Sequence, residues 1–477
     1  MRADSNRDHA ADEPDVIPQE LREFLRQVPS SLLIKGAAGT GKTSLALAVL
    51  HTLNTRGGFL YLSTRASPAQ LFMHHPWLKD WIRPKKSKRG KAADNQAAPE
   101  GFVDSRLDEP TQLFERITNQ LMDASAPTIV IDTWDSLKDF REEDSLQSNL
   151  RVLLAWCERA GARLILIDED PEDRTFDALV DGIVTLEQQD IDGRRAREII
   201  LTKLHGTNIQ NPRYFFTLKD SKFRSFGHLE PDNLMIGPDT VAAGHDARVE
   251  SLLAGEYIPT GYGALDSELG GGLPAGSLVN IALARGVDSR VPLFLLEKAL
   301  GSFVNSGHGV VILPFEGLAP GFVDSYVKSS IPSSRQGLIR QAWKKDNGAD
   351  KTEPAPSSGV GENGQSSAES THEDVSPAFL AILGSRSVED APGREPGYEV
   401  QRLARSVHTA RGLGFVVTRG KNSTVSEHLS ANSALELEIA SRSGTLLLQP
   451  QAPFSKLFVI DVQCRSGRPV VELEPIV

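Results

Sequence analysis

Residues 31–50 read SLLIKGAAGTGKTSLALAVL, and this stretch limits what the 477-residue chain can fold into more than any other. Gly36-Ala37-Ala38-Gly39-Thr40-Gly41-Lys42-Thr43 satisfies the phosphate-loop pattern G-x-x-x-x-G-K-[ST] at every fixed position. Leu32, Leu33 and Ile34 predict a short buried strand before the loop. Residues 44–53, apolar around most of their circumference, predict a buried helix after it. The order has a chemical reason. Glycines let the backbone turn and bring N–H groups close to phosphate oxygens, and the helix N-terminus adds partial positive charge. The expected ligand is ATP, held by Gly36, Ala37, Ala38, Gly39, Thr40, Gly41, Lys42, Thr43 and Ser44. Lys42 is expected at the β and γ phosphates and the Thr43 hydroxyl on Mg²⁺.

Residues 127–137, PTIVIDTWDSL, supply a second signal. A β-rich apolar run ends in an acid, which predicts a strand whose carboxyl end places Asp132 on the Mg²⁺ beside the phosphate loop. An apolar strand ending in Asp is a loose match alone, and gains weight downstream of a complete phosphate loop. Residues 59–62 predict another strand, ending at Ser63-Thr64-Arg65. Residues 146–160 predict a helix and residues 163–167 a buried strand, followed by Asp168-Glu169-Asp170, read as an exposed acidic loop. Glu169 is the reserve candidate for positioning an attacking water.

Composition narrows the class. Net charge is −11, which argues against non-specific nucleic-acid binding as the main activity. The basic run at 83–100, RPKKSKRGKAADNQAAPE, lacks interleaved aromatics and reads as a solvated surface insertion. Cys157 and Cys464 form neither a metal motif nor a disulfide framework, as suits a reducing compartment. No run approaches the roughly 20 apolar residues of a membrane span, and the N-terminus has no apolar signal core. A soluble cytoplasmic protein is expected. Residues 1–15 read as a disordered tail, followed by a short amphipathic helix with Pro18 at its first position and Leu21, Phe24, Leu25 and Val28 on its apolar face.

Residues 181–206 predict a β-hairpin, extending a mainly parallel sheet with antiparallel strands. In this order the phosphate loop, the Asp132 strand, Asp181-Gly182-Ile183-Val184-Thr185-Leu186 and Ile200-Leu201-Thr202-Lys203-Leu204-His205-Gly206 resemble the KaiC-type and RadA-type branch of the RecA superfamily. Many such ATPases carry a glutamate after the second strand to position the attacking water, where this chain has Thr64 and Arg65. The resemblance implies that Lys203 contacts the γ-phosphate bound by a neighbouring subunit. His205 departs from the arginine more common there.

Residues 258–277, IPTGYGALDSELGGGLPAGS, are similar to the opening of a second KaiC-family domain. The loop expected next reads Leu283-Ala284-Arg285-Gly286-Val287-Asp288-Ser289-Arg290. Only Gly286 survives of the pattern, and Asp288 would repel phosphate. The Ser-, Gly- and Pro-rich residues 344–376 read as a disordered insertion.

The expected fold is α/β: two tandem RecA-like P-loop NTPase domains with mainly parallel sheets flanked by helices, at 16–227 and 258–477, joined by a linker at 228–257, with the second copy degenerate. The opening and the tandem plan resemble archaeal GvpD-type P-loop proteins, named for a regulator of gas-vesicle formation. That resemblance implies an ATP-binding regulator acting through a protein partner, with slow Mg²⁺-dependent hydrolysis. The catalytic set is Lys42, Asp132, Glu169 and Lys203, with Thr43 and Asp132 on the metal. By analogy the assembly is a homo-oligomer such as a hexamer, with no nucleic-acid or membrane partner. The alternatives are a recombination or repair ATPase of the RadA type and a non-hydrolysing ATP-bound scaffold.

Overall fold

The computed structural model describes residues 16–54, 58–82, 101–108, 110–123, 127–138, 143–237, 255–313, 315–341, 379–389, 395–420, 424–465 and 467–477. The tail at 1–15, the basic run at 83–100 and the insertion at 344–376 lie outside the described residues.

The first sheet is built from β1 (Ser30–Lys35), β2 (Phe59–Ser63), β3 (Phe102–Asp104), β4 (Thr128–Asp132), β5 (Arg163–Asp168), β6 (Gly182–Ile191), β7 (Arg194–Leu204), β8 (Arg213–Thr217) and β9 (Arg224–Ser225). Its order is β3-β2-β4-β5-β1-β6-β7-β8-β9. Strands from β3 through β6 run parallel, and β7, β8 and β9 continue the sheet antiparallel. The central strands β1, β2 and β4 are buried along their whole length, as expected where helices cover both faces.

Alternation sorts the two faces. Leu32 and Ile34 join α1 (Gln19–Arg26) and α2 (Lys42–Thr52) in one core. Leu33 points the other way, onto Leu113, Leu150, Leu153 and Cys157 of the helices Pro110–Asp123 and Glu143–Ala160. Pro18 is the N-cap of α1 rather than its first residue, and Val28 lies beyond the helix and is exposed.

After a two-stranded pair, β10 (Tyr257–Ile258) and β11 (Leu273–Pro274), a second nine-stranded sheet follows. It comprises β12 (Ser277–Leu283), β13 (Gly309–Ile312), β14 (Ile339–Gln341), β15 (Phe379–Gly384), β16 (Leu413–Arg419), β17 (Ser433–Arg442), β18 (Thr445–Ala452), β19 (Phe458–Arg465) and β20 (Arg468–Pro475). The order is β14-β13-β15-β16-β12-β17-β18-β19-β20, which reproduces the first sheet position for position. Its parallel and antiparallel pairs fall in the same places. The chain therefore carries the same α/β plan twice, in tandem.

The two sheets pack at their antiparallel ends. Ile191, Ala196, Phe215 and Phe226 share one buried cluster with Leu447, Leu457, Val459 and Ile476. Residues 228–237, read from sequence as linker, are packed instead. His228 Nε2 lies 2.9 Å from the Arg213 carbonyl, and Leu234 is buried in the second core. Residues 238–254 lie outside the described residues.

Candidate phosphate-loop site

The loop leaves the carboxyl end of β1 and enters α2 through left-handed backbone at Gly39 (φ +80°) and Gly41 (φ +105°). At Gly41 a Cβ would also stand 2.9 Å from a Leu218 methyl, which would have to shift aside. Only glycine gives the loop this turn without strain. The first N–H groups of α2 have no intrahelical partner, so the loop and helix together aim donors at one place.

Lys42 folds back over the loop. Its ammonium donates to the Gly36 carbonyl at 2.6 Å and the Ala37 carbonyl at 2.9 Å. Burial pulls the Lys42 ammonium below its ordinary pKa, while Asp132 and Asp135 oppose the shift.

Asp132 closes the site from β4. The Thr43 hydroxyl donates to Asp132 Oδ2 at 2.8 Å, and the Tyr61 hydroxyl donates to the same oxygen at 2.5 Å. Burial raises the Asp132 pKa above the usual carboxylate range, and the bonds from Tyr61 and Thr43 work against that shift. The side chain of Tyr61, fully buried on β2, was not singled out by sequence reasoning. Its trace in the sequence is a tyrosine within an apolar strand, and the pairing of that strand with the Asp132 strand is what places the hydroxyl beside the acid.

The cleft holds about 610 Å³ and is lined by Gly39, Gly41, Lys42, Thr43, Ser44, Ser63, Arg65, Leu71, His74, His75, Asp132, Thr133, Glu169 and Leu218, among others. Glu169 reaches it as expected, but it is paired with Arg65, the residue standing where the resemblance places a glutamate. Asp168 is fully buried at the end of β5, which corrects the reading of 168–170 as a wholly exposed acidic loop. The structure brings Lys42, Thr43, Ser44, Asp132 and Glu169 together.

Lys203 is elsewhere. It pairs with Ile183 near the start of β6, at the sheet edge opposite the phosphate loop. Its ammonium donates to the carbonyls of Asp177 and Val180, at 3.0 and 2.7 Å.

The residues fit a magnesium nucleotide. A hydroxyl and a carboxylate side by side are the hard oxygen donors Mg²⁺ takes from a protein, with the remaining positions left to water and phosphate. Thr133 on the cleft wall also has a buried hydroxyl without a hydrogen-bond partner.

The corresponding turn of the second half does not fit. Asp288 accepts from the Arg290 backbone N–H at 2.8 Å and from its guanidinium at 2.7 and 3.0 Å. The Ser289 hydroxyl donates to the Glu316 carbonyl at 2.7 Å and accepts from Arg419. Protein groups thus close this turn on itself. The strand equivalent to β4, β15, ends in Gly384 and offers no carboxylate.

A tandem α/β protein with one complete phosphate loop is a P-loop protein, and a P-loop domain implies nucleotide binding. Residues 21–202 match the profile of the family described as GvpD gas vesicle protein, P-loop domain. The chain is 28% identical over 326 residues to Protein GvpD2 of Halobacterium salinarum, covering 64% of this chain and 63% of that one. It is 27% identical over 338 residues to Protein GvpD1 of the same organism, covering 67% and 60%. A UPF0273 protein of Saccharolobus solfataricus is 25% identical over 206 residues, covering 40% and 73%. Residues 21–202 thus resemble a GvpD P-loop domain, and the similarity to the GvpD relatives spans somewhat under two thirds of their length. Among the described residues, no helix is long and apolar enough to cross a membrane.

Proposed function

We propose that this protein is an ATP-binding regulatory switch of the RecA/KaiC type, acting through a protein partner in a process connected with gas vesicles. The link to gas vesicles rests on the names of its relatives. The observation that carries the reading is the contrast between the two loops. In the first, Lys42, Thr43 and Asp132 converge on an open cleft; in the second, Asp288, Arg290 and Ser289 close the turn on itself.

Gly36, Gly39, Gly41 and Lys42 would hold the phosphates, and Thr43 and Asp132 the Mg²⁺. The bound metal would supply charge neutralisation at the β and γ phosphates. Glu169 is the cleft carboxylate available to orient water, and its pairing with Arg65 supports slow turnover, because a paired carboxylate is a poor acceptor for a water proton. Lys203 lies at the edge away from its own loop, so a role at a nucleotide requires a neighbouring subunit's site. An oligomer supplies that arrangement.

The test is nucleotide titration with Mg²⁺, followed by turnover at rising protein concentration. One nucleotide per chain is expected, with binding lost in Lys42→Ala and specific activity climbing as subunits associate. Two nucleotides per chain, or binding that survives in Lys42→Ala, would overturn the reading.

A further inference from the structure

Arg197 lies on β7, is 6% exposed, and touches both halves of the chain. One guanidinium nitrogen donates to the phosphate-loop carbonyls of Gly39, at 3.1 Å, and Thr40, at 3.4 Å. Its Nε donates to the Val477 carbonyl at 2.7 Å. A buried guanidinium with a fixed fork of donors holds its acceptors in one relative position, which a flexible ammonium does not.

A second connection runs beside it. The Thr217 hydroxyl donates to the Pro475 carbonyl at 2.7 Å, and Lys219 pairs with Glu474 at 3.1 Å. Between them Leu218 stands against Gly41. Two residues past Lys219, the Ser221 carbonyl accepts from the Trp77 indole at 3.1 Å and lies 3.0 Å from Nδ1 of His75, which also lines the cleft. Residues 474–477, at the end of the second half, are therefore tied to the phosphate loop of the first by two routes, through Arg197 and through residues 217–219.

We infer that the degenerate second half is a brace for the phosphate loop, with Arg197 as the positioning residue that couples nucleotide affinity to the packing of residues 474–477. This rests on the phosphate loop binding a nucleotide. The half that has lost its own loop keeps a role in the surviving site. Because coupling is reciprocal, nucleotide in the first half tightens the seam, and anything that loosens the seam weakens nucleotide binding. The surface of the second half becomes a place where a partner protein can act on the nucleotide site without touching it.

The experiment uses the full chain and a fluorescent ATP analogue with Mg²⁺. The expected Kd rises about tenfold in Arg197→Ala, as removal of a charged donor from two loop carbonyls implies. Arg197→Lys recovers only part of the affinity. Thr217→Val, which touches no phosphate, raises Kd by a smaller factor. In the unaltered protein, nucleotide slows amide exchange in residues 468–477, and in Arg197→Ala that protection disappears. Arg224→Ala, which loosens the same seam at Asp461 and Glu474 without reaching the loop, also raises Kd by a smaller factor than Arg197→Ala. If Arg197→Ala and Arg224→Ala both lower the thermal midpoint while Kd and the nucleotide-induced protection stay unchanged, Arg197 is an ordinary interface residue and the inference is wrong. Failure of the unaltered protein to bind nucleotide would instead sink the functional proposal beneath it.

Discussion

Replacing Tyr61 by phenylalanine removes one oxygen atom and leaves the ring and its packing against Phe102, 5.3 Å away between centroids, in place. The hydroxyl lost is a donor to Asp132 Oδ2 in a fully buried setting. Hydrogen bonds to charged groups contribute about 1.5–3 kcal/mol. Two features pull the value toward the lower end: Thr43 still donates to the same oxygen, and burial already biases the carboxyl toward its neutral form. A loss of about 2 kcal/mol follows, roughly thirtyfold in the folding equilibrium of the first half. Urea unfolding followed by tryptophan fluorescence reads that half selectively. Trp77, Trp81, Trp134 and Trp156 lie in it, and Trp343 alone in the second. Tandem domains need not unfold together, so a probe weighted toward one half is required. A Tyr61→Phe protein with unchanged midpoint and unchanged slope would refute the reasoning, because it would mean that Asp132 does not depend on this bond.

Two further outcomes are expected. Burial pushes the Cys157 thiol up to about 12, whereas Cys464 is exposed. A thiol reagent at neutral pH should modify one cysteine per chain quickly and the second only on unfolding. Two fast equivalents would mean that the Leu150–Cys157 helix face is not packed as described. Burial also holds His75 below its ordinary value of 6.5, so the folded state favours neutral imidazole. The stability this contributes is complete above pH 6.5 and is lost as pH falls through the lower folded value. The thermal midpoint should drop more steeply below about pH 6.5 in the unaltered protein than in His75→Gln, and parallel pH profiles would count against the assignment.

The legible parts of this chain share one property, that their meaning is local. Gly39 and Gly41 announce a turn that only glycine makes freely, and the apolar run at 129–131 announces a buried strand ending in an acid. The opening at 258–277 announced a second copy of the first fold. The less legible parts depend on neighbours. Strand β17, Ser433–Arg442, alternates buried Leu435, Leu437 and Ile439 with Glu436 and Glu438, yet sequence reasoning passed over it. It becomes a central strand only because β12 lies parallel on one side and β18 antiparallel on the other. Asp168 read as one of three exposed acids, and its position as the last residue of β5 buried it.

By itself the sequence determined the α/β class, the tandem plan, the complete loop at Gly36–Thr43 and the failed one around Asp288, because phosphate binding demands fixed residue types at fixed spacing. Only the tertiary structure decided that Tyr61 supports Asp132, that Arg65 occupies Glu169, and that Arg197 joins Gly39 to Val477. Those partners are far apart in the chain: the Tyr61 and Arg65 contacts exist only once the first half has folded, and the Arg197–Val477 bond only once the two sheets have packed. No local pattern encodes that distance. It follows from burying the apolar ends of both sheets in one common cluster.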